Sequence, residues 1–196
     1  TARVAIVRGT DFNGVAYGGS LRIPIRYIKQ PSRRSRELRR GDVLVENSVN
    51  AKSRSIGTPL LIDQFALARI GRVAVAASFC KVFRFHDPSL APIAHLHLRH
   101  LRQEKRMEYY QNIATNGIGN FQAQKFAKEE HLVLPADGAL RAELVGKLAA
   151  LTQGVSVLAS QIQNLRRTRD LLLPRLLSGD LDVSSFPDRN LQHDEQ

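Results

Sequence analysis

Between residues 144 and 172, large aliphatic side chains recur at alternating steps of four and three: Leu144, Leu148, Leu151, Val155, Leu158, Ile162, Leu165 and Leu172, with Arg169 the one break. That spacing keeps them on one narrow stripe of a single helix, the pattern of a helix that pairs with another. A lone helix cannot bury such a stripe. Gly146 and Gly154 sit within it, and each costs about 1 kcal/mol against Ala, so the pattern predicts a helix that depends on a partner. It is expected to run from about Ala139 to Leu173, roughly 50 Å at 1.5 Å per residue. Asp137 is the candidate N-cap, and at Pro174 the chain is expected to leave the helix or kink, because proline has no N–H to give and clashes with the preceding turn.

Upstream the periods are shorter. Residues 3 to 7 read as a strand, followed by the turn Arg8-Gly9-Thr10-Asp11, and Gly14, Gly18 and Gly19 predict a loop-like path. Residues 31 to 40, PSRRSRELRR, hold five arginines and one aliphatic residue, Leu38. Gly41-Asp42 turns into a buried strand, Val43 to Val45, and a polar loop follows from Asn47 to Gly57. From 72 to 85 the alternation of Val73, Val75, Ala77, Phe79, Phe83 and Phe85, with Lys81 the exception, predicts a central strand pair sharing one apolar face. From Ser89 to Tyr110 the period becomes that of an amphipathic helix with Arg99, Arg102, Gln103, Lys105 and Arg106 outward. A Gly- and Asn-rich segment, 112 to 120, leads to a short helix near Ala123 to Glu130 and a strand at His131 to Leu134.

The composition shifts at Pro135 to Gly138, which divides the chain into residues 1–135, 136–183 and a polar tail, 184–196. Residues 1 to 135 carry 22 Lys and Arg against 10 Asp and Glu, a net of +12, whereas residues 136 to 196 carry 7 against 8, a net of −1. The whole positive charge therefore belongs to the globular part. A basic module on a neutral helix predicts a division of labour, a polyanion for one and protein for the other. The fold class expected is α+β: a globular domain with a small mixed or barrel-like sheet, then a long coiled-coil-forming helix. One cysteine, Cys80, leaves no internal disulfide framework and fits a reducing, cytoplasmic setting. Thr1 to Val7 do not form a signal peptide, and no apolar run approaches the ~20 residues of a membrane span, so no membrane partner is expected.

The run Arg169-Asp170-Leu171-Leu172-Leu173-Pro174-Arg175-Leu176-Leu177-Ser178-Gly179-Asp180-Leu181-Asp182-Val183 closely resembles the end of the helical conserved region in specificity subunits of type I restriction-modification enzymes. Arg8 to Asp11, Gly41 to Val45, Asn116 to Asn120 and Leu132 to Pro135 resemble the scattered landmarks of the target recognition domain of that family, in the same order. The resemblance covers nearly the whole chain, and its C-terminal motif is the specific one. It implies one target recognition domain and one spacer helix, where a complete subunit has two of each with the helices antiparallel. By the same resemblance the domain lacks its N-terminal start. The partners implied are double-stranded DNA, methyltransferase (modification) subunits, a restriction or motor subunit, and a second copy or a different half-subunit across the helix. Two identical halves would read a split palindrome.

Residue chemistry suggests how DNA would be held. Arg33, Arg34, Arg36, Arg39 and Arg40 are candidates for phosphate contacts, which give affinity and salt dependence without sequence preference. Asn47, Asn50, Lys52 and Arg54 follow a strand and carry the groups that pair with purine edges, Asn with adenine and Arg or Lys with guanine. The glycines of Thr115 to Asn120 are read as turn-formers.

No catalytic centre, cofactor or metal is expected. His97 and His100 share a helical face, but no carboxylate or cysteine completes a tetrahedral set at a usual spacing. Cys80 is read as a small buried hydrophobe. There is no G-x-x-x-x-G-K-[ST] loop, no Asn-Pro-Pro-Tyr-like or glycine-rich methyl-donor motif and no nuclease-like carboxylate cluster, so the resemblance assigns the chemistry to partner subunits. Two other readings fit the same residues: a specificity module from a single-chain restriction-modification enzyme, or a non-enzymatic basic coiled-coil scaffold that binds nucleic acid without sequence preference.

Overall fold

A computed structural model describes residues 1–49, 56–113 and 119–181. Asn50, Lys52, Arg54, residues 115 to 118 and the tail from Asp182 lie outside them. The described residues form a mixed α+β fold with three small sheets and one long C-terminal helix. In the first sheet β1 (Ala2–Val7) is central, antiparallel to β2 (Ile25–Ile28) and parallel to β6 (Ala74–Ala76). In the second, β3 (Asp42–Glu46) lies between β5 (Pro59–Ile62) and β7 (Cys80–Arg84), antiparallel to both. The third joins β4 (Ser48–Val49), β9 (Gly119–Phe121) and β8 (Gln111–Ile113).

The strand β3 reads as an unbroken apolar run because it has a core on each side. Leu44 packs in one cluster with Ala5, Val7, Phe12, Leu60 and Ile62. Val43 and Val45 pack in the other with Leu98, Leu101, Met107 and Phe126, under α4 (Ala91–Gln103) and α5 (Ala123–Glu129). Glu130 pins this second layer: its buried carboxylate accepts from Tyr110 Oη at 3.0 Å and Arg106 at 3.2 Å, and meets His97 Nε2 at 3.0 Å. Cys80 is buried in the first cluster, and burial pushes its thiol up to about 11.

Several local expectations are corrected. Residues 12 to 17 are helix α1, not loop, because Phe12 and Val15 reach the core on one face and Gly18 closes the helix at φ 69°. The arginine-rich stretch includes α2 (Gln30–Arg36), and Leu38 is its buried anchor. β6 and β7 fall in different sheets, so the alternation breaks at the turn 77 to 79 and Phe79 is 67% exposed. The helix expected from 89 to 110 stops at Gln103; Lys105 takes a left-handed conformation (φ 58°) and a 3-10 turn, Arg106–Tyr110, follows. Residues 131 to 134 pair with no strand among the described residues, and Val133 is exposed.

The long helix α6 spans Gly138–Leu177, about 60 Å. Asp137 caps it, accepting from Leu140 N at 3.0 Å and Ala139 N at 2.7 Å, and those bonds hold its carboxyl below the usual range. Pro174 does not end it. This last stretch is exposed, so water can serve the carbonyl that proline leaves without a donor, and the helix closes only at Ser178, which donates its N–H to Pro174 O.

Candidate nucleic-acid interface and pairing face

One end of the globular part is built from strand termini tied to one another. Ala77 N donates to Val7 O, Asn47 N to Phe79 O and Phe121 N to Asn47 O, each at 2.8 Å. Arg36 donates from its guanidinium to Ala76 O at the same end. The expected phosphate-contacting arginines divide between two places. Arg34 and Arg36 are exposed on α2, and Arg33 is half-buried against Glu37 at 3.0 Å. Arg39 and Arg40 are exposed at the opposite end of β3, where Arg39 N donates to Asp42 Oδ2 at 2.7 Å and Arg40 borders a groove with Pro88 and Val145. About 23 Å of extended chain separates Arg40 from Asn47.

Asn47, the one described member of the expected base-reading loop, is half-buried; its Oδ1 is buried with no partner among the described residues, so it does not face outward as a base reader would. At the far end of the strand, Asp42 is buried and held by Arg84 through Nε and Nη2, each at 2.7 Å. This ion pair serves the fold, since removing one partner of a buried pair leaves an uncompensated charge.

The helix α6 docks at that far end through small and polar residues. Ser156 and Ala159 are its buried positions. Ser156 Oγ donates to Asp63 Oδ2 at 2.5 Å, and Arg69 of α3 (Gln64–Ile70), which also holds Val15 O at 2.6 Å, reaches Ser156 O at 3.5 Å. Ala159 passes so close to Gly18 that a Cβ there would collide with its carbonyl, and Arg166 donates to Gly18 O at 3.2 Å.

The apolar stripe lies about a quarter-turn away on the wheel, and past Leu148 it is uncovered: Leu151 is 67% exposed, Leu158 58% and Leu165 69%, with Val155, Ile162 and Leu172 also exposed. Leu144 and Leu148 are partly buried. A cleft of about 300 Å³ runs alongside, between α6 and α4, where Tyr17 and Leu96 add exposed apolar surface beside Leu151 and Val155. His95 lines it too, and burial, then Arg99, pushes its pKa down to about 4, so it is neutral at pH 7.

By length and composition α6 is apolar enough to cross a membrane: an 18-residue window reaches a mean hydropathy of 1.2. The expectation of no span-length apolar stretch is corrected to that extent. The bonds from Ser156 and Arg166 to the globular part would have to break before the helix could enter a bilayer.

Sequence reasoning missed Phe79 as a surface residue, and it missed the docking residues Asp63, Arg69 and Ser156. Ser78 beside Phe79 was the available sign of a turn. The docking residues carry no periodic signal, because a polar contact between distant segments leaves none. Comparison with protein-family models gives no match, and no curated protein matches the chain.

Proposed function

We propose that this chain is a sequence-reading and assembly half-subunit of the type I restriction-modification kind. One copy reads half of a bipartite DNA target, and a second copy pairs with it through α6. Methyltransferase subunits, and a motor-nuclease where one is present, supply the catalysis. The observation that carries this reading is the uncovered stripe from Leu151 to Leu172 on a helix anchored by its other face. Fully burying an exposed Leu, Ile or Val side chain contributes about 1.5–3 kcal/mol, so six such positions, each partly exposed, favour association. The net charge of residues 1–135, +12, supplies attraction to a polyanion.

An antiparallel pair places two basic modules at opposite ends of a helical spacer, which is the geometry a split target requires. The C-terminal motif and the ordered landmarks bring the family to this reading. The test is competition at physiological salt between duplex DNA pools enriched on the protein and unrelated DNA and RNA. Enriched duplex should win by at least 100-fold; equal affinity for all three would favour the unspecific scaffold.

A further inference from the structure

The proposal concerns Phe79 and rests on the DNA-reading function above. The register Glu46↔Cys80 continues one step to Asn47 and Phe79, joined by Asn47 N to Phe79 O at 2.8 Å. Phe79 belongs to the turn that leads into β7, so Asn47 is its backbone neighbour and Lys81 follows it two residues on, all at the tied end of the domain.

Phe79 is 67% exposed and Lys81 is exposed. An exposed phenyl ring is common enough singly, but this one is held on a fixed backbone. Ala77 N is bonded to Val7 O, Cys80 N to Ala77 O at 3.0 Å, and Phe79 O to Asn47. An aromatic ring on a rigid turn loses little entropy on binding. Its neighbour Lys81 is an exposed cation suited to phosphate.

We infer that Phe79 is a wedge that stacks against a base step of bound duplex DNA, with Lys81 beside it as the phosphate contact. Apolar side chains that enter a base step unstack it and bend the duplex. The preference of this half-site would then include a deformable step that no hydrogen bond reads.

The chain contains no Trp, so Phe79→Trp places a sole reporter at this point of the full-length chain. Duplexes randomised at their centre and enriched by repeated binding supply the ligand, and anisotropy of labelled duplex reads binding independently. The expected result is at least twofold quenching of tryptophan emission at saturation, with protection from acrylamide. Phe79→Ala should weaken binding roughly 5- to 100-fold with the salt slope unchanged, because no phosphate contact is lost. Binding with unaltered emission and unaltered Phe79→Ala affinity overturns the wedge and leaves DNA reading intact. Failure of any duplex to enrich or bind overturns the DNA-reading function and the wedge with it.

Discussion

If two copies pair through α6 as proposed, replacing Leu158 and Ile162 together with Glu is expected to leave the chain a single copy with its fold in place. Both side chains stand on the uncovered stripe, at 58% and 40% exposure, and neither belongs to the docked face of Ser156 and Ala159. In an antiparallel pair centred near Leu158, each copy would bring two carboxylates into the seam. The loss would include the burial of the exposed half of four large side chains, about 1 kcal/mol each, and the added cost of charges taken from water. Light scattering reads the mass directly, and circular dichroism checks that the helix persists. A mass of two chains for the double variant would remove this stripe from the interface. The control is Ser156→Ala, which breaks the bond to Asp63 and should leave the mass of the pair unchanged.

The second large effect concerns salt. Replacing Arg33, Arg34 and Arg36 with Ala should flatten the dependence of DNA affinity on ionic strength. Each phosphate contact contributes about 0.9 to the slope of log affinity against log salt concentration, so the triple variant should lose about 2 to 3. The structure apportions that loss unevenly. Arg34 is exposed with no ion pair among the described residues, whereas Arg33 already pairs with Glu37. Arg34→Ala alone should therefore lower the slope more than Arg33→Ala. Arg39 and Arg40 lie at the other end of β3, and changing them should leave the slope close to that of the unaltered chain. An unchanged slope for the triple variant would take α2 out of the interface.

The helix was legible because it is a local pattern. The period of Leu144 to Leu172 is written in consecutive residues, and Asp137 caps it through neighbours two and three positions on. β3 was legible for the same reason, as a short apolar run after a turn. What escaped depends on contacts between distant segments. Whether 72 to 85 makes one strand pair or strands of two sheets is decided by β1 and β3, some forty to seventy residues upstream. α1 was hidden by Gly14, whose propensity is overridden by the burial of Phe12 and Val15, and by Gly18 and Gly19 just beyond its end. Pro174 misled because the penalty for an interior proline falls where water can reach the freed carbonyl. Of the expected interface, Arg36 and Asn47 are both tied to strand termini at one end, while Arg39 and Arg40, adjacent in sequence to the α2 arginines, are carried away by the turn into β3.

The most direct measurement of the role as a reader of split DNA targets is made in a host that lacks adenine methylation. The chain is produced there with a type I methyltransferase subunit encoded beside it, and the genome is sequenced with modification detection. A single split motif should acquire N6-methyladenine, and it should be palindromic if two copies of this chain pair with each other. A genome without new methylation, from cells in which the chain and the methyltransferase co-purify, would contradict that role.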